Sequence, residues 1–388
     1  MSSAIDYKKL FPDLYLPKAA PATIEVPQMS FIAIDGRGDP NPANSSFAKA
    51  MQVLYAISYT IKMSKMSGSQ PEGYFDYVVP PLEGLWWTSD GSPVVPEAKS
   101  KFCWRMMIRL PEFVDRPIFE WAVELASQKK GIDCSGADFV TVQERLCVQA
   151  MHHGSYDSEG ATIEAIYRYM AAEGLKADFW EKRLHHEIYL SDPRRTAPER
   201  NRTVLRVPVR HVIPELQTER LFLRECLVSD ADDIFAYSAD PEVGPNAGWE
   251  PHKTVADSVE VIRTIFAWGY VWAMVDKPSG HVIGSLGLHS NRLGNGCWEL
   301  GYAMGRDYWG RGLMTEAARE VLRYGFEVLG LKEIECGCFP FNHRSQRVIE
   351  KLGFEPCGII PKSFVRFDGE ALDELRFTLR KAQFDSQK

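Results

Sequence analysis

No stretch of this 388-residue chain approaches the ~20 consecutive apolar residues that a membrane-spanning helix needs. The opening MSSAIDYKKLFPDLY also lacks the apolar core of a secretory signal. Basic charge is in short supply: 45 Lys and Arg against 52 Asp and Glu leave a formal net charge of −7. That argues against nucleic acid as a partner, because a phosphate backbone asks for a basic surface. Eight cysteines are scattered along the chain without the framework of a small disulfide-stapled domain. Free thiols in a cytoplasmic protein are therefore expected. Cys336 and Cys338 form a lone C-x-C with no second pair, so no structural metal is expected there. The 45% hydrophobic and 25% charged content matches globular averages and excludes disorder.

What is present is enough chain for two or three domains. The clearest boundary lies in VLRVPVRHVIPELQTERLFLRE, where Pro208 and Pro214 interrupt the pattern and LQTERLFLRE begins a new alternating strand. A linker at about 210–216 divides the chain into 1–212 and 213–388. The first part holds a weak internal repeat. FIAIDGRGDPNPANSSFAKAMQVLYAISYTIK reads as strand, glycine turn and helix, and LCVQAMHHGSYDSEGATIEAIYRYMAAEGLK repeats that order. Each is followed by a strand-like segment, GYFDYVVPPLEGLWW or HHEIYLSD. Two such units predict a pseudo-symmetric α+β domain with a cleft at the join. The second part reads as a mixed α/β domain: a strand RLFLREC, a helix opened by Ser229 with Asp232, and a hairpin turning on Pro278, Ser279 and Gly280. The strand CWELGYAMG, a helix, the strand IECGCFPFN, the helix NHRSQRVIEKLGF and a closing strand DELRFTLRK complete it.

Between CWELGYAMG and its helix stands DYWGRGLMTEAARE, with glycines at 310 and 312. Glycines before a helix let bare amides approach an anion at the positive end of the helix dipole. The lysine and hydroxyl of a nucleotide-triphosphate loop are missing, and Thr315 stands where a dinucleotide fingerprint needs its third glycine. A pyrophosphate gripped by main-chain amides without metal remains, beside the plain alternative of a tight turn.

LQTERLFLRE, ELGYAMGRDYWGRGLMTEAARE and NHRSQRVIEKLGF, in this order and spacing, resemble the GNAT superfamily of acetyl-CoA-dependent N-acyltransferases, above all its RimJ/RimL-like branch. The resemblance covers about residues 215–383. It implies that amides around Gly310, Arg311, Gly312, Leu313 and Met314 bind the coenzyme A pyrophosphate. It also implies that the preceding strand splays from its neighbour to pair with the pantetheine arm, and that Asn342 hydrogen-bonds that arm. Acyl transfer to an amine needs a base, a polarised thioester and a proton for the leaving thiolate. Glu299 is the candidate base, through water, or else a solvated strand carboxylate. Ser345 is the candidate proton donor, or a serine that only satisfies the helix's first turn; Asn342 can equally be an ordinary N-cap. Acetyl-CoA as acyl donor and an amine acceptor, small-molecule or peptide, follow from the resemblance. Asp307, where relatives usually carry Gln or Arg, and the large Met314 are departures from the family pattern. They support a rival reading, a ligand sensor that keeps coenzyme A binding and has lost acyl transfer.

The first part is rich in aromatics around a few acids: Phe75, Tyr77, Trp86 and Trp87 on strand-like segments, and Tyr156, Tyr167, Tyr169 and Trp180 in the second repeat. Such residues are core, or they are walls of a site for flat, lipophilic or cationic ligands. DYKKLFPDLYLPK, EGYFDYVVPPLEGLWW and HHEIYLSDPRRTAPERNRTVLRVPV resemble the GyrI-like small-molecule-binding family over residues 7–212. The resemblance implies a drug-binding pocket between two related halves and, for some relatives, hydrolysis of cyclopropane-bearing alkylating toxins. By position, Glu187 would be the buried acid, Trp86, Trp87 and Tyr189 its walls, and Tyr7 a further ligand contact. A desolvated Glu187 is then a candidate base for activating water, or an acid that only attracts cations. The pairs His152–His153 and His185–His186 lack the carboxylates or thiols that would complete a metal site.

Overall fold

The computed structural model describes residues 4–40, 45–91, 96–192, 195–290 and 296–387. The chain forms two compact units, Met1–Arg210 and His211–Lys388, and the architecture is α+β throughout. Among the described residues no helix is long and apolar enough to cross a membrane.

In the first unit, short helices α1 (Tyr7–Leu10) and α2 (Pro12–Tyr15) precede β1 (Ala22–Val26) and β2 (Met29–Arg37). Helix α3 (Ser45–Met63), β3 (Leu82–Thr88), β4 (Phe102–Arg109) and α4 (Arg116–Lys130) follow. Then come β5 (Asp138–Val142), β6 (Arg145–His153), α5 (Gly160–Ala172), β7 (Leu175–Ala177), β8 (His185–Tyr189) and β9 (Arg202–His211). The sheet order is β1-β6-β9-β8-β3-β4-β2-β5, with β7 on β9. This order shows the repeat in space. β6, β9 and β8 mirror β2, β4 and β3 about the β8–β3 seam, and the extra strands β1 and β5 extend the two ends. Helix α3 buries Ala50, Val53, Leu54, Ile57 and Ile61, the one-face spacing of an amphipathic helix. They pack with Ile32, Trp104, Met106 and Phe119 in one apolar cluster. Helix α4 is capped by Asp115, whose carboxylate accepts from the Ile118 amide at 2.9 Å, and it ends on Gly131 at φ 63°.

One strand is shorter than its pattern predicts. GYFDYVVPPLEGLWW becomes a strand only from Leu82, because Pro80 and Pro81 cannot donate to a ladder. Tyr74, Phe75 and Tyr77 pack against Phe113 instead, with ring centroids 5.2–6.1 Å from it.

The second unit runs β10 (Leu216–Gln217), β11 (Leu221–Glu225), α6 (Ala231–Ser238), α7 (Gly244–Ala247), α8 (Val255–Thr264), β12 (Gly269–Asp276) and β13 (Val282–Ser290). It continues with β14 (Trp298–Met304), α9 (Leu313–Glu327), β15 (Glu333–Cys338), α10 (His343–Lys351), β16 (Glu355–Val365), β17 (Ala371–Arg380) and α11 (Lys381–Asp385). The sheet order is β10-β11-β12-β13-β14-β15-β17-β16, with only β14 and β15 parallel. Helix α9 buries Leu313, Met314, Ala317, Ala318, Val321, Leu322 and Phe326 over the sheet. Gly325 lets it settle closely, since a Cβ there would come within 2.9 Å of Leu288 Cδ1. The predicted Ser229–Asp232 start of α6 does not form. A 3₁₀ turn precedes the helix, and Asp230 accepts from the Leu227 amide at 2.8 Å while pairing with Arg224 at 2.7 Å.

Candidate functional sites

The second unit opens its sheet at one point. β14 pairs with β15 only at Trp298↔Ile334 and Glu299↔Glu335, while its whole length pairs with β13. From Leu300 to Met304 the ladder between the two parallel strands is lost; the Cys336 thiol of β15 still reaches Leu300 O at 3.3 Å, and Trp309 Nε1 donates to Met304 O at 2.7 Å. The glycine turn lies just beyond the open end. Gly310 and Gly312 both sit at left-handed φ, 76° and 78°, which L side chains adopt only with strain. A Cβ on Gly310 would meet nothing within 4 Å, so the turn faces open space. The first intrahelical bond of α9 runs from the Glu316 amide to Gly312 O at 3.0 Å. Among the described residues no group of the chain accepts from the amides of Arg311 to Thr315. The large Met314, unexpected from the family pattern, is 5% exposed and turns its side chain into the core, so its size does not crowd the turn.

The turn is braced from below. Arg220 Nη1 donates to Arg311 O at 2.9 Å and its Nε to Glu316 Oε2 at 2.7 Å; Thr218 donates to the same carboxylate. Burial penalises the Glu316 charge, yet these donors outweigh it and hold its pKa below the usual range. Asn342 accepts from the Ser345 amide at 3.1 Å, an N-cap of α10, and donates to Asn246 O at 2.9 Å. The Ser345 hydroxyl lies 2.8 Å from the Tyr302 hydroxyl on the splayed part of β14. Burial lifts the Tyr302 phenol well above its ordinary pKa. The sequence reading missed Tyr302, though ELGYAMG placed a tyrosine on this strand.

Glu299 is brought to the base of the splay, but it is not a free carboxylate. Arg376 Nη1 donates to it at 2.8 Å, and the same guanidinium reaches Glu335 at 2.7 Å and Glu374 at 3.3 Å. Glu299, Glu374 and Arg376 are all buried. Gly337 makes room for this cluster: a Cβ there would stand 2.4 Å from Glu374 Oε1 and 2.6 Å from Arg376 Nη1. Glu299 Oε2 is buried without a hydrogen-bond partner.

The first unit carries a cavity of about 2470 Å³ whose lining includes Trp86, Trp87, Tyr156, Glu159, Glu187 and Tyr189. Its floor is the β8–β3 seam, where Glu187 lies opposite Gly84, His185 opposite Trp86 and Tyr189 opposite Leu82. Period-two alternation puts these six on one face. Trp86 Nε1 donates to Tyr189 Oη at 2.9 Å, and Tyr189 donates to Glu187 Oε2 at 2.7 Å. His185 Nε2 lies 3.4 Å from Glu187 Oε1. Gly84 is what admits this chain, since its Cβ would fall 2.8 Å from Trp86 Nε1 and 3.2 Å from Tyr189 Oη. Tyr7 does not reach the cavity lining. It is 1% exposed, bonds Glu112 and has the Arg109 guanidinium over its ring at 4.6 Å.

The histidine pairs do not converge. His152 bonds Thr162 Oγ1 at 2.9 Å and Ser155 O at 3.1 Å. His186, on the other face of β8, lies between Glu144 at 2.9 Å and Glu83 at 3.0 Å, and Arg206 reaches Glu144 at 2.8 Å. All four are buried. Desolvation alone would lower the His186 pKa, but the two carboxylates outweigh it and lift it to about 9. Desolvation opposes the Glu144 charge as well, and His186 with Arg206 brings that carboxyl down to about 2.

Each unit matches a known domain family. Residues 220–355 match the acetyltransferase (GNAT) domain model, and residues 20–210 match the GyrI-like small molecule binding domain model. An uncharacterized N-acetyltransferase, p20, of Bacillus licheniformis is 32% identical over 174 residues, spanning 44% of this chain and 97% of its own. The [ribosomal protein uS5]-alanine N-acetyltransferase of Escherichia coli is 27% identical over 131 residues, 33% of this chain and 64% of that one. A crystal structure of a hydrolase from Listeria innocua is 44% identical with a TM-score of 0.50, spanning 53% of this chain and all of that one. The chain thus belongs to the GNAT N-acetyltransferases through its second unit, and its first unit is a GyrI-like small-molecule-binding domain.

Proposed function

We propose that the second unit transfers the acetyl group of acetyl-CoA to an amine. The observation that carries this reading is the pairing of a splayed strand, β14, with unpaired amides at the start of α9. The open edge of β14 suits an amide-bearing pantetheine arm, and the amides of Arg311 to Met314, with no Cβ on Gly310 or Gly312, suit a diphosphate. The side-chain amide of Asn342 flanks the arm. Glu299, held in place by Arg376, takes the ammonium proton through water. Ser345, oriented by Tyr302, gives the proton to the departing thiolate. The acceptor is a primary amine; the relative that acetylates an alanine of a ribosomal protein makes a peptide N-terminus one class to screen beside small amines. Gly310→Glu tests the assignment, since it places a repelling carboxylate where the diphosphate would lie. Acetyl-CoA binding measured by calorimetry is expected to vanish, and unchanged affinity rejects the site.

We propose for the first unit that it binds flat lipophilic or cationic molecules between its two halves and opens cyclopropane rings conjugated to a carbonyl. The aromatic cavity around Glu187 supports this, as does the relative described as a hydrolase. In that reaction water bonds to the ring carbon while Glu187 takes its proton. The strained C–C bond breaks, and its electron pair moves to the carbonyl oxygen. Mass spectrometry of a cyclopropane-bearing alkylating compound incubated with the protein tests it. Ring opening lost in Glu187→Gln is expected, and a compound left intact by the wild type leaves binding alone.

A further inference from the structure

The cavity of the first unit is lined by carboxyls that the hydrolytic scheme has not used, Glu159 among them. Glu159 precedes α5 and lines the cavity together with Glu187. The two acids are treated differently by their surroundings. Glu187 receives a hydrogen bond from Tyr189 at 2.7 Å and has His185 at 3.4 Å. Glu159 Oε1 is buried without a hydrogen-bond partner. A buried carboxylate oxygen with no donor is costly, whereas a protonated carboxyl in the same place removes the charge and becomes a donor itself.

We propose that Glu159 is a second working carboxyl of this cavity, one that carries a proton, and so the general acid that works with Glu187 as base. The charges around it point the same way. Burial raises the Glu159 pKa far above the carboxylate range, and the negative charges of Glu187 and Asp157 add to it. Tyr156 and Tyr189, also raised by burial and by Glu187, stay neutral. No cation is among the groups that set the Glu159 charge; of the cations lining the cavity, Arg105 lies 2.6 Å from Asp35, Lys99 3.8 Å from Asp157 and Arg195 3.9 Å from Asp192. The α5 N-terminus favours an anion at Glu159, but by less than a desolvated charge beside a like charge costs.

The acid role rests on the hydrolytic reading above; the location of the proton does not. In ring opening, Glu159 gives its proton to the carbonyl oxygen that receives the electron pair, and Glu187 takes one from water. The product gains one hydroxyl on carbon and one on the former carbonyl. The Glu187 proton then passes to Glu159, restoring both groups.

Infrared spectra of the full chain at pH 7 locate the proton. A carboxylic-acid C=O stretch is expected in the wild type and absent in Glu159→Gln. Its absence from the wild type, or its persistence in the variant, overturns the proposal. Steady-state kinetics with a cyclopropane-bearing alkylating compound test the acid role. Glu159→Gln is expected to lower kcat about a hundredfold with KM nearly unchanged, and Glu159→Asp to restore part of it. Undiminished turnover in Glu159→Gln overturns the acid role. An infrared band of Glu159 with no turnover by the wild type instead removes the hydrolytic reading and leaves the proton where it is placed.

Discussion

A missing side chain decides the geometry of each site at the residue scale. Gly84 lies on the cavity floor, and its space is taken by Trp86 and Tyr189. Gly84→Ala pushes a methyl against Trp86 Nε1 and Tyr189 Oη, which separates Trp86 from Tyr189, the donor to Glu187. Affinity for a lipophilic cation, followed by tryptophan fluorescence, is expected to fall at least tenfold, with acetyl-CoA binding unaltered. A retained affinity means that the Trp86–Tyr189–Glu187 chain does not shape the site. The turn at Gly310 and Gly312 was legible in the sequence because two glycines stand beside a helix start. Gly84 was not, because Tyr189, one of the side chains that fill its space, is 105 positions further along. The same limit hid Glu299's ion pairs: Arg376 is 77 residues away, and no local pattern shows which cation a strand acid will meet.

The elements carry the fold, and their order was largely readable. Apolar spacing in α3 and α9 and the duplicated strand–helix–strand pattern all appear in the structure. Pairing was not readable. β17 inserts between β15 and β16, and β5 joins the end of the first half, choices made by long-range ladders rather than by any one segment. The divergence of β14 from β15 leaves Tyr302 facing α10, where its hydroxyl meets Ser345. Tyr302→Phe removes that contact and keeps the ring. With Ser345 as proton donor, kcat for acetyl transfer is expected to drop several-fold while acetyl-CoA affinity stays the same. Equal loss in Tyr302→Phe and in Tyr302→Phe/Ser345→Ala places the two residues in one step, and additive losses separate them.

At the scale of the whole molecule, each site draws its residues from its own unit, so Glu187→Gln should leave acetyl transfer intact and Gly310→Glu should leave cavity binding intact. Stability is linked to pH through the first unit. His186, Glu83, Glu144 and Arg206 join β3, β8, β9 and the start of β6, and Arg206 also donates to Leu14 O at 2.9 Å, tying in α2. The His186 pKa rises from 6.5 to about 9 on folding. Its contribution is therefore complete below pH 6.5 and disappears as pH climbs through about 9. Glu144 acts in the opposite sense: its stabilisation is present above 4.5 and is lost as pH falls through about 2. His211, which burial lowers, titrates beneath the His186 window and does not obscure it. A rise of this size corresponds to about 3 kcal/mol, enough to move a thermal transition by several degrees. Calorimetry of the full chain from pH 6 to 10 should show the first unit melting progressively earlier above neutrality. In His186→Gln the transition starts lower and its temperature falls less steeply across that range, the remaining slope coming from Glu159, whose raised pKa also lowers stability as pH rises. A wild-type transition that holds its temperature there would mean that the buried imidazole is neutral and that the network is not the four-charge cluster its geometry describes.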